Sequence, residues 1–144
     1  MNILNKMSKS FNEVTSKDKS DDVEIDELLN FSKIDVPTEY IEVIKDKTEI
    51  EILVDNEKYI RIWGANGCIE MNTAYHIQKY IPNSLAIGDD ECSNAVLYAY
   101  GNEGFGVYIV PLNDLGVDEM VFVATSLEDF FVDEKGINVF NAIY

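Results

Sequence analysis

The residues most capable of chemistry are the three consecutive acids Asp89, Asp90 and Glu91, which follow the apolar run Leu85-Ala-Ile-Gly88. A calcium loop places carboxylates at alternating positions around a central glycine and ends on a bidentate glutamate, and three adjacent acids do not supply that pattern. The thiols Cys68 and Cys92 stand 24 positions apart, and His76 is the only imidazole. Two thiolates and one imidazole leave a tetrahedral zinc site a ligand short unless a carboxylate completes it, so the thiols read as free, buried cysteines of a reducing compartment. As a general base His76 would need an orienting partner and a nucleophile within hydrogen-bond reach, and no G-x-S-x-G or Cys-His pattern offers one. Gly101, Gly104 and Gly106 lead into the apolar run Val107-Tyr-Ile-Val110. A dinucleotide-binding turn leads instead into a helix, so these glycines read as hairpin geometry. The sequence therefore predicts no catalytic residue, no metal and no cofactor. With 27 acids in the chain, a hydrolase built on a carboxylate pair is the one enzymatic alternative left open.

What remains is binding. Trp63, Tyr59 and Tyr75 are amphipathic aromatics of the kind that anchor protein interfaces, with core packing as the competing role. Trp63, beside the turn Gly64-Ala-Asn-Gly67, is the leading contact candidate. Asp89, Asp90 and Glu91 read either as a solvated turn or as a contact patch for a basic partner.

These residues must be positioned by helices and strands that the sequence marks unevenly. Ile3, Leu4, Met7, Phe11 and Val14 recur at helical spacing and predict an N-terminal amphipathic helix of about 13 residues. A polar linker to residue 20 follows, which separates a segment 1–20 from a domain 21–144. Asp21 and Glu24 stand at capping-box spacing and predict a helix from about Asp22 to Ser32. Pro37 opens a second helix that ends near Asp46. Alternation of Ile50, Ile52 and Val54 with Glu49, Glu51 and Leu53, resuming at Tyr59 to Trp63, predicts a hairpin. If Ile60 and Ile62 face the core, Arg61 lies across from Glu49 or Glu51 on the other face. Asn72 or Thr73 would cap a helix stopped by Pro82. Strands are expected at about Leu85 to Ile87, Ala95 to Tyr100, Phe105 to Val110 and Met120 to Ala124. Thr125 and Glu128 cap a last helix whose buried face is Leu127, Phe130 and Phe131. Most links are too short for crossover helices, so the fold class is α+β, a single domain with a mainly antiparallel central sheet flanked by helices.

Charge sharpens the choice of partner. The chain carries −16 overall. Residues 1–20 hold four lysines against Glu13 and Asp18, a net +2, so the remainder holds 7 Lys+Arg against 25 Asp+Glu, a net −18. Such a body repels nucleic acid and anionic membranes and attracts basic proteins. The first residues lack the apolar run of a secretory signal, and no stretch approaches 20 apolar residues, so the expected location is cytoplasmic.

Four segments in order carry a resemblance: Pro37-Thr-Glu-Tyr40, Leu85-Ala-Ile-Gly-Asp-Asp-Glu91, the glycine-bearing hairpin into Gly106-Val-Tyr108, and Val123-Ala-Thr-Ser-Leu-Glu-Asp-Phe-Phe131. Together they resemble the SUKH superfamily over roughly residues 21 to 133. That group includes yeast cell-wall (glucan synthesis) regulators and many bacterial immunity proteins. The resemblance implies a sheet flanked by helices and a non-enzymatic role: binding and neutralising a toxin, often a nuclease, through a protein–protein contact. The alternative it implies is an intracellular regulatory scaffold. Two departures stand out. An Asn-Gly-Gly-like turn common after the proline-containing helix is replaced by the run Thr48 to Val54, and the acidic turn continues into Cys92 where glycine is common.

Overall fold

The computed structural model describes residues 2–143. Its centre is one seven-stranded sheet in which every strand pairs antiparallel with its sequence neighbours, in the order β1 to β7. The strands are β1 (Phe11–Asp18), β2 (Lys47–Val54), β3 (Lys58–Ile62), β4 (Leu85–Asp89), β5 (Asn94–Gly101), β6 (Gly104–Pro111) and β7 (Val121–Ala124). Six helices complete the fold: α1 (Asp22–Phe31), α2 (Thr38–Ile44), α3 (Ala65–Ala74), α4 (Ile77–Tyr80), α5 (Leu127–Phe131) and α6 (Ile137–Asn141). The α+β expectation, mainly antiparallel, is what the structure shows.

The burial pattern explains the sequence of each strand. In β2 the residues Thr48, Ile50, Ile52 and Val54 are buried while their neighbours are partly exposed, the alternation of a strand with one face in the core. β5 and β6 carry near-continuous buried runs, Asn94 to Ala99 and Gly106 to Val110, because both of their faces are covered. Tyr40, Ile44, Leu28, Phe130 and Phe131 pack into the same core.

The N-terminal helix is a misreading. Only a single 3-10 turn forms at Ile3–Lys6, and residues 11–18 are strand β1, hydrogen-bonded to β2 from Phe11↔Val54 to Asp18↔Lys47. An isolated helix of this length is marginal in water, whereas the open edge of β2 pairs with Phe11 to Glu13 and with Thr15, whose branched side chain suits a strand. Phe11, expected on a helical stripe, meets Phe130 and Phe131 edge-on, with ring centroids 5.2 Å away in each case. The expected linker up to residue 20 is therefore mostly β1, and the boundary at residue 20 falls just before α1.

The second correction concerns α3. It starts at Ala65, with Gly64 as its N-cap, so Asn72 lies inside this helix and caps nothing. The chain reverses at His76 in a left-handed conformation (φ 54°) before the short α4. Gly67, expected in a turn, lies within the helix, where an added Cβ would come to 2.8 Å from Glu49 Oε2. That carboxylate accepts from the Gly64 N–H at 2.9 Å, and Ser20 Oγ accepts from the Ala65 N–H at 2.9 Å. Two of the unpaired donors at the start of α3 are thus satisfied from other segments. Asn72 clamps the helix to the sheet: its Nδ2 donates to Ala86 O at 2.8 Å and its Oδ1 accepts from Ala86 N at 3.0 Å.

Buried acidic hydrogens set how this core responds to alkali. Burial raises the Cys68 thiol from 9.0 to about 12, and burial also raises the phenols of Tyr40 and Tyr98 well above 10.0. The folded state keeps these groups protonated while the unfolded chain ionises them, so the unfolded state binds fewer protons. Stability is full below about pH 9 and falls as pH rises through 9 and then 10. Urea midpoints at about pH 8 and about pH 11 should show this loss, and an unchanged midpoint would contradict the neutral, buried assignment.

Candidate functional site

The residues singled out for binding sort into two places. Tyr59, Arg61 and the acidic turn 89–91 gather where β3 meets the end of β4, while Tyr75 lies apart at the end of α3, lining a separate cleft with Tyr80 and Leu115. Tyr75 is 40% exposed and Tyr59 38%, so both rings are available at the surface. Trp63 is different: at 3% exposure its ring is inside the fold. Its indole Nε1 donates to Asp89 Oδ2 at 2.7 Å, so it acts by holding the acidic turn in place.

The hairpin β2–β3 sets the geometry. Because Ile60 and Ile62 face the core, Tyr59 and Arg61 face outward, and register pairs Arg61 with Glu51 directly. The guanidinium lies 3.2 Å from Glu51 Oε2 and 3.5 Å from Glu91 Oε1, joining β2, β3 and the turn after β4. Burial and the neighbouring Glu51 raise the Glu91 carboxyl above its usual range, opposed by Arg61.

The acidic turn is built from its own carboxylates. Asp89 Oδ1 accepts from the Glu91 N–H at 2.7 Å. Asp90 Oδ1 accepts from the Cys92 and Asn94 N–H groups, each at 3.0 Å, and Oδ2 accepts from Asn94 Nδ2 at 2.7 Å. Short side chains that bond the backbone two residues on are what let such a turn form. Glu91 sits at φ 56°, a conformation more natural to glycine. Among the described residues no group of three or more His, Cys, Asp or Glu could hold a metal ion. Nor is any helix there long and apolar enough to cross a membrane.

Between this turn and the C-terminal segment lies a cleft of about 290 Å³, bordered by Tyr59, Asp90, Glu91, Cys92, Glu57 and Ile143. It brings together Tyr59, Asp90 and Glu91 of the expected contact residues. Lys58, also on its border, turns its ammonium to the carbonyls of Phe140 and Ile143 and so ties the C-terminal segment to β3.

Sequence reasoning missed Glu39, the residue that joins two of the four resemblance segments. Its Oε2 accepts from Tyr98 Oη and from the Leu127 N–H, both at 2.7 Å, and its Oε1 accepts from the Glu128 N–H at 3.0 Å. The Asp129 N–H goes to Ser126 Oγ at 3.0 Å, so the cap of α5 is Ser126, one residue after the expected Thr125. In the same segment Tyr40 Oη donates to Trp63 O at 2.7 Å. Glu39 and Tyr40 thus tie α2 to α5, to β5 and to the end of β3. The signal was present in Pro37-Thr-Glu-Tyr40, but spacing alone does not reveal a partner 88 residues away.

No curated protein matches the chain significantly. The model of the SMI1/KNR4 family (SUKH-1) matches residues 19–133. That span runs from just after β1 to just past α5 and contains the Glu39 contacts, the hairpin and the acidic turn. A match over most of the chain, coinciding with the elements that carry the resemblance, makes this protein a member of the SMI1/KNR4 (SUKH-1) family.

Proposed function

We propose that this protein is a non-catalytic binding module, a bacterial immunity protein of the cytoplasm that blocks a basic toxin domain by covering its surface. Family membership is the observation that carries this reading. The charge of −18 over residues 21–144 supports it. A nuclease groove shaped for phosphate would be drawn to such a surface, and steering would raise the encounter rate more than the affinity. The cleft between Tyr59 and Glu91 offers exposed aromatic and acidic side chains held by the interior strands β3 and β4, the composition of an interface anchor. Nucleic acid is not the direct ligand on this reading, since its phosphates would be repelled. Membership of the same family also supports a second reading, a regulatory scaffold like the cell-wall regulators that the resemblance includes.

The test is rescue. Proteins encoded beside the gene are expressed singly in a sensitive host, with and without this chain, and each is also tested for direct binding. Restored growth together with a one-to-one complex is the expected outcome. Binding to an endogenous enzyme without any rescue would turn the assignment to the scaffold, and turnover of a small molecule abolished by one carboxylate change would end both readings.

A further inference from the structure

We infer that the cleft beside the acidic turn receives a single arginine side chain of the protein partner. This inference rests on the partner-binding reading above and adds the chemistry of the contact. At about 290 Å³, the cavity stands at the lower end of the usual range of about 300–1,000 Å³ for ligand pockets and has room for one long side chain.

Its surfaces divide as a guanidinium requires. The Tyr59 ring, 38% exposed, and Ile143 supply the apolar walls against which a propyl stem and a flat cation can lie. Glu57, Asp90 and Glu91 also line the cleft. Asp90 takes its hydrogen bonds from neutral N–H donors, which leaves its charge in place. Glu91 already pairs with one guanidinium, that of Arg61, at 3.5 Å. The one cation on the border, Lys58, is directed to backbone carbonyls. Arginine is favoured over lysine here because a planar, weakly hydrated fork both stacks on a ring and bridges carboxylates.

N-acetyl-arginine amide, N-acetyl-lysine amide and N-acetyl-norleucine amide are titrated into the full-length ¹⁵N-labelled protein. The arginine amide should give saturable shifts at Tyr59, Cys92 and Ile143, with lysine several-fold weaker and norleucine without effect. Combining Tyr59→Ala with Glu57→Gln should weaken arginine binding about tenfold while the rest of the spectrum is unchanged, since both side chains face outward. Shifts scattered over the anionic surface without saturation, or equal shifts with norleucine, overturn the inference. The same double variant in the rescue assay separates the two proposals. Full protection by both proteins removes the cleft and keeps the immunity reading. Failure of the unaltered chain to protect, with saturable arginine binding intact, removes the immunity reading and keeps the cleft.

Discussion

Glu39→Ala should destabilise the protein by about 3–5 kcal/mol, because three donors lose one ionised acceptor at once and hydrogen bonds to charged groups are worth about 1.5–3 kcal/mol each without being additive. Water can replace the lost acceptor only in part. Tyr98 is 1% exposed and Leu127 is buried, although the Glu128 N–H lies at the surface, and the two N–H groups open the helix whose Phe130 and Phe131 rings sit in the core. Glu39→Gln keeps the shape and one acceptor but points an N–H₂ group at a donor, so it should fall between alanine and the native residue. Urea unfolding followed through the fluorescence of Trp63, the only tryptophan, reads both variants. A change below about 1 kcal/mol for alanine would show that the three donors find other acceptors.

Gly88→Ala should be at least as damaging, by more than about 3 kcal/mol, for a purely steric reason. A Cβ at Gly88 would stand 2.2 Å from Arg61 O and 3.3 Å from its carbonyl carbon, backbone atoms with no rotamer to give. The β3–β4 ladder has only the pairs Arg61↔Asp89 and Ile62↔Gly88, so parting the strands there leaves little to hold them. The Trp63 N–H bond to Ile87 O, 2.9 Å, and the indole bond to Asp89 would go with it. Trp63 emission should therefore shift to the red as the ring meets water, and the Tyr59 cleft should lose its arginine response. Gly104→Ala is the control: its φ of 84° is strained for alanine but no atom lies within 4 Å of the added carbon. That change should cost only about 1 kcal/mol, and equal losses at the two sites would dismiss the steric argument.

Local pattern determined much of this protein. The capping box at Asp21 and Glu24 is present as expected, with Asp21 Oδ1 and Glu24 Oε1 each accepting the other's backbone N–H at 2.8 Å. The hairpin alternation put Arg61 across from Glu49 or Glu51, of which the register selects Glu51, and the four later strands lie where their apolar runs and glycines put them. These features rest on neighbours in sequence or on a period of two, which a reader of residues can count. The anionic body is likewise a matter of composition.

Tertiary structure alone decided the rest. Spacing favoured a helix at 3–14, yet the open edge of β2 made residues 11–18 a strand, because intrinsic preference is weak beside a ladder of hydrogen bonds. Glycines 64 and 67 read as a turn, yet they stand at the start of a helix, where Thr48 from another strand leaves no room for a Cβ at Gly64 and the Glu49 carboxylate comes close to Gly67. Trp63 had the composition of a surface anchor and was buried to brace the turn, whereas Glu39 had no local signature and became the bond between distant helices. Which side chains meet depends on contacts between residues far apart in the chain, and a one-dimensional pattern carries no information on those distances.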